Sequence, residues 1–315
     1  MLVGARLLQF AAVLLLFGSP LFCLYGLERG ASQSSVPAQS PWQRRALLLA
    51  AAVALLGAFA WVMAETASLG AEPGDAFSPA ALWTILSATR FGRACLVRIA
   101  LLALSIVATL CVTRPKALWI VQVILGGTAT ASFAWTGHGA SGVGAGGVSA
   151  AGAVHLLGDL LHLLAAGIWI GALVPLAAQL HYSIRSGAPA QAQAAQFGLH
   201  RFSSLGVGVV AALVLSGAIN SWFLIGPSHW RSIFTSGYGI ALLVKLGLFG
   251  AMLGLAALNR YRRVPALRIA LGAQGPIPPA LRALRATVLA ETALALLVLV
   301  AVSLLGTLAP PVSGE

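Results

Sequence analysis

Charge is what this sequence has least of. Its 315 residues include 19 Lys and Arg and only 7 Asp and Glu, so that 8% of the chain is charged, where soluble domains carry roughly 25%. The chain is also 59% hydrophobic, with a mean hydropathy of +0.93. So few charges cannot cover a water-facing surface around that much apolar side chain, and soluble fold classes are excluded. The solvent this composition suits is lipid. Cysteine is scarce too. Cys23, Cys95 and Cys111 form no CxxC pair and lie in apolar runs, which argues against a disulfide framework or a zinc knuckle. No GxxxxGK[ST] phosphate loop, HExxH motif or nucleophile elbow is present, and the chain reads as a non-enzyme. The net charge of +12 would suggest a nucleic-acid partner in a soluble protein. In a membrane chain it is an orientation signal instead.

Long apolar runs are what is there. Eight segments reach the ~20 residues a spanning helix needs: 5–27, 45–65, 94–113, 117–136, 152–180, 202–225, 238–259 and 287–308. The first resembles a signal peptide in outline, but no small-x-small cleavage site follows it, and it reads as a span. The stretch 71–90 carries Glu72, Pro73, Gly74 and Asp75. It reads as a loop with a short interfacial helix near Leu82–Leu86, where Trp83 suits the headgroup level. One set of alternate loops carries 13 Lys and Arg residues; the other carries four, Arg6, Arg90, Arg93 and Arg231. The positive-inside rule places the richer set in the cytoplasm and both termini outside. The expectation is an all-α, polytopic bundle of about eight helices, N-out and C-out, with halves 1–136 and 137–315. Residues 32–40 and 274–279 read as cytoplasmic linkers. The glycine-dense stretch 137–147 around His138 reads as a flexible linker or as a loop that folds over a ligand.

Ionisable groups at membrane depth are costly and face a bundle interior or a polar cavity. His155-Leu-Leu-Gly-Asp159-Leu-Leu-His162 puts three of them on one helix face, about 40° and 20° apart at 100° per residue. Imidazole and carboxylate ligate divalent-type metals; the alternative is a polar face packed on other helices. Lys245 falls at a similar depth, and an Asp159–Lys245 ion pair is a competing use of that carboxylate. His138, Met63, Glu65 and His229 are further candidate ligands on the same side, whereas His181 and His200 fall on the opposite one. Toward the cytoplasm, Glu291 with Asn259, Arg260 and Arg262 reads as a structural ion pair. Ser216, Gly217 and Asn220 suit close helix packing or a lined path.

The order of these motifs resembles one family. Trp135-Thr-Gly-His138 comes first, then the His155–His162 run continuing to Trp169-Ile-Gly171. Ser216-Gly-Ala-Ile-Asn220 follows, then Tyr238 to Lys245, Asn259-Arg260-Tyr261, and the Glu291 helix closing on Pro310-Pro311. Together they resemble the bacterial copper-resistance inner-membrane CopD family. The resemblance implies movement of copper into the cytoplasm, a CopC-like periplasmic copper-binding partner, and His138, His155, Asp159 and His162 as the copper-handling residues. It also implies a separate donor, since the external termini are short. Imidazole and carboxylate suit copper(II) better than copper(I), so the residues alone point to a divalent-type site. The alternative is a haem b-binding membrane oxidoreductase, because histidines in helical bundles serve as axial haem ligands.

Overall fold

A computed structural model describes residues 1–27, 41–69, 74, 77–136, 143–144, 147–272 and 277–311. Its helices are α1 (Leu2–Phe22), α2 (Pro41–Leu69), α3 (Pro79–Ala88), α4 (Arg90–Cys111), α5 (Pro115–Ala131), α6 (Ala150–Ser186), α7 (Pro189–Ile225), α8 (Ser232–Thr235), α9 (Gly237–Leu258), α10 (Val264–Gly272) and α11 (Ile277–Leu305). Eight helical stretches among the described residues are long and apolar enough to cross a membrane, and the short apolar α3 stands apart from them. The chain is a polytopic helical bundle.

Local chemistry sets the ends. Thr89, Ser149 and Ser236 accept from Gly92, Gly152 and Gly239 backbone N–H groups at 2.8, 3.0 and 3.0 Å, capping α4, α6 and α9. Proline opens α5 and α7, where its missing N–H costs nothing. Gly187, with φ 63°, ends α6 in the left-handed conformation.

α6 and α7 hold 37 residues each, about 55 Å at 1.5 Å per residue against a hydrocarbon core of ~30 Å. Residues 181–201, which lie between the spans read from the sequence, are therefore helical except for the turn at Gly187 and Ala188. Gln191, Gln193 and Gln196 lower hydropathy without opposing helix. The Ser183 hydroxyl donates to the Gln191 carbonyl at 2.9 Å, tying the two helices beyond the spans.

α1 is the organising helix, packing on α2, α5, α6 and α11. Its contact with α6 is backbone on backbone: a Cβ on Gly18 would lie 2.0 Å from the Gly167 carbonyl oxygen, and one on Gly171 would lie 2.5 Å from Gly18 Cα. Pro175 inside α6 has no N–H for the carbonyl four residues earlier, that of Gly171. The Ser19 hydroxyl of α1 donates to that same carbonyl at 2.7 Å, so the helix crossing repairs the break it accommodates. Exposed Leu56, Val107, Ile124, Leu215 and Leu297 form an apolar exterior suited to lipid.

Arg6, taken from the sequence as an external loop charge, is buried instead. It is 9% exposed, with its guanidinium 4.7 Å from the Trp61 ring centre. The charge bias of the loops survives its removal.

Candidate functional site

A cavity of about 440 Å³ lies among α1, α6, α7, α9 and α11, and His155, Asp159 and His162 all line it. The one-face reading of that eight-residue run is thus met by the fold. The three groups do not converge. Among the described residues no three His, Cys, Asp or Glu side chains form a ready-made metal shell. His155, buried, stacks on Phe223 with ring centres 4.7 Å apart and planes 10° from parallel. Asp159 Oδ1 accepts from Asn220 Nδ2 at 3.3 Å.

His162 is the best defined. Its Nδ1 lies 3.0 Å from Ser216 Oγ, and the single Ser216 proton is directed to the Ala212 carbonyl at 2.5 Å. With the Ser216 proton on that carbonyl, Oγ accepts from Nδ1–H, and the Leu213 carbonyl is a further partner of the ring. In that tautomer Nε2 keeps a lone pair for a ligand. Gly217 keeps space beside the ring: a Cβ there would lie 3.6 Å from its Cε1 carbon.

Two cations share the cavity with the single carboxylate. Lys245 lines it and interacts electrostatically with Asp159, but the hydrogen bond Asp159 accepts comes from Asn220. Arg6 lines it with its Nε buried and unpartnered, against Gly306, where a Cβ would fall 1.6 Å from Arg6 Nη2. Sequence reading missed Arg6. The available signal was Gln9, one turn on and on the same face, completely buried. Gln9 Oε1 accepts from Arg98 Nη1 at 2.8 Å, and Arg98 also donates to Ser132 and Thr136.

His138 lies outside the described residues; Thr136, two positions before it, is held by Arg98. Met63, Glu65 and His229 do not line the cavity. His181 and His200 are exposed at the far ends of α6 and α7.

A second cavity of about 230 Å³ lies further along the same helices, lined by Trp169, Ser203, Asn259, Arg260 and Glu291 among others. The expected pairing of Glu291 with Arg260 does not form. Arg260 donates to the Ser203 carbonyl and, at 3.1 Å, to Ser203 Oγ. Glu291 Oε1 accepts from Asn259 Nδ2 at 2.6 Å, and Asn259 Oδ1 accepts from Thr287 Oγ1 at 2.6 Å. Asn259 and Arg260 lie on a π-helical turn, Asn259–Arg263, a kind of turn that recurs at functional sites.

Comparison with known proteins agrees with the motif order. Residues 1–148 match the family model described as copper resistance protein D-like, N-terminal domain, and residues 198–305 match that of copper resistance protein D. The chain is 36% identical over 314 residues to Copper resistance protein D of Pseudomonas syringae pv. tomato, covering 98% of this chain and 96% of that one. It is 30% identical over 262 residues to Copper transport protein CutJ of Bacillus subtilis (strain 168), covering 81% and 45%. To Inner membrane protein YebZ of Escherichia coli (strain K12) it is 29% identical over 316 residues, 98% of each chain. No solved structure matches. With both family models matched in order and a relative aligned end to end, the chain belongs to the copper resistance protein D family.

Proposed function

We propose that this protein transports copper across the bacterial inner membrane, importing it from the periplasm without catalysing a covalent reaction. The observation that carries the reading is the placement of His155, Asp159 and His162 on the wall of one intramembrane cavity in a chain of this family. His162 Nε2 offers the lone pair, His155 lies one helical stretch away, about 10 Å by rise, and Asp159 supplies negative charge between them. Such spacing suits ligands engaged in sequence rather than one closed shell, which matches a site that must release its cargo. His138 belongs to the same proposal as an external ligand. A CopC-like periplasmic protein is the proposed donor, and copper(II) the form best matched to imidazole and carboxylate. The proposed orientation is N-out and C-out.

Replacing His162 by Ala should lower both copper accumulation in cells and copper retained by purified protein, at equal expression. Unchanged values of both would remove His162 from the path.

A second reading has an observation of its own. Arg6 and Lys245 place two cations on an otherwise largely apolar cavity wall that also bears two histidines. These residues fit haem: His155 or His162 as axial ligand, Arg6 and Lys245 for its propionates. Bound there, haem would supply one-electron chemistry. The two histidines sit too far apart on one helix to ligate the same iron. The absorbance spectrum of protein purified from copper-supplemented cells separates the readings. The transport reading expects copper without a Soret band, and a strong Soret band would replace it with the haem reading.

A further inference from the structure

The two cavities are stacked along the same four helices. α6, α7, α9 and α11 contribute to both, and Trp169 lines both. Trp169 is 4% exposed and meets Phe249 edge to face, with ring centres 6.1 Å apart and planes at 64°. Phe249 and Met252 line the first cavity, and Leu253 and Ala256 the second. The boundary along α9 therefore falls beside the indole.

Beyond that boundary Glu291 is 1% exposed. Its Oε1 is taken by Asn259, while among the described residues its Oε2 meets no donor in full hydrogen-bond geometry, the donor that approaches the carboxylate being the Trp169 indole. Every element around it can be checked for a counter-charge. α6 presents Trp169, whose indole approaches the carboxylate with its Nε1 outside hydrogen-bond geometry. α7 presents Ser203, the π-helical turn presents Asn259, Arg260 and Tyr261, and α11 itself presents Thr287. The cation in this set, Arg260, is committed to Ser203.

An ionised carboxylate with one oxygen unpaired at this depth is costly. A protonated one is neutral, and its O–H requires a single acceptor. Glu291 lines a cavity of about 230 Å³ with room for water, and a rotation of its carboxyl that uncovers the buried Oε2 lets that water serve as acceptor and as the proton's route. Among the described residues the lone carboxylate has no second anionic or imidazole group beside it, and the cation a single buried carboxyl suits is the proton.

We propose that Glu291 is a proton-exchanging carboxyl that opens to the second cavity and is separated from the first by Trp169. The proton joins Oε2 from water in the second cavity and leaves by the same route. The four-helix path thus has a histidine station on one side of the indole and a proton station on the other.

The test is pH-difference infrared spectroscopy on the purified full-length chain, reading the C=O stretch of a buried protonated carboxyl. Wild type and Asp159→Asn should both show a band that titrates, and Glu291→Gln should lack it. Gln keeps an acceptor for Asn259, so that variant is expected to fold, and circular dichroism and gel filtration verify this. A band that persists unchanged in Glu291→Gln overturns the proposal, as does a wild type with no titrating carboxyl band. The measurement needs no copper, so its failure is distinct from failure of the transport reading.

Discussion

Ser216 shows how much one hydroxyl decides. Its one proton lies between the Ala212 carbonyl at 2.5 Å and His162 Nδ1 at 3.0 Å, and when it goes to the carbonyl the oxygen accepts from His162 in the Nδ1–H tautomer. Partners of this kind typically contribute 10–100-fold in metal affinity. Ser216→Ala should therefore weaken copper binding by about that factor in an equilibrium metal titration, with the helical circular dichroism unchanged, and Ser216→Thr should restore most of it. Equal affinities for Ala and wild type would show that the tautomer is set elsewhere. The run bearing His155, Asp159 and His162 was legible because helical periodicity alone puts the three on one face. The Asn220–Asp159 bond and the commitment of Arg260 to Ser203 were not legible. Both depend on which helices become neighbours and at what height, and a single sequence does not encode relative height.

Between elements, the contact of α1 with α6 is decided by absence of side chain. Gly18 and Gly171 meet backbone to backbone, the arrangement by which small residues hold membrane helices together when lipid removes the hydrophobic drive. Gly171→Leu should force the helices apart at a cost on the order of 3 kcal/mol or more, read as a lower melting temperature in detergent. Gly254→Leu is the control, since nothing lies within 4 Å of a Cβ there; it should melt near wild type. Equal melting of the two variants would deny the crossing its structural weight. The eight long apolar helices and the short apolar helix at Pro79–Ala88 were readable from hydropathy, because length and apolarity are properties of a segment by itself. The extension of α6 and α7 past the membrane was not, because polar residues lower hydropathy whether or not they are helical.

At the scale of the molecule, orientation rests on the distribution of Lys and Arg among the loops. With exposed Cys111 replaced by Ala, a membrane-impermeant maleimide should label Ser228→Cys in intact spheroplasts and Ser186→Cys only after permeabilisation. The reverse pattern would invert the bundle and with it the direction proposed for copper. The place of α1 also bears on how the molecule is made. α1 is synthesised well before α6 and α11, two of the helices it packs on. At ~5–20 residues per second, Gly18 and Ser19 wait several seconds or more for the Gly171 carbonyl, and Arg6 waits longer still for Gly306. During that interval a guanidinium and a hydroxyl stand on a helix with no finished bundle around them. The expected consequence for insertion is that a factor sheltering this early, incompletely apolar helix until the late ones arrive raises the yield of folded chain.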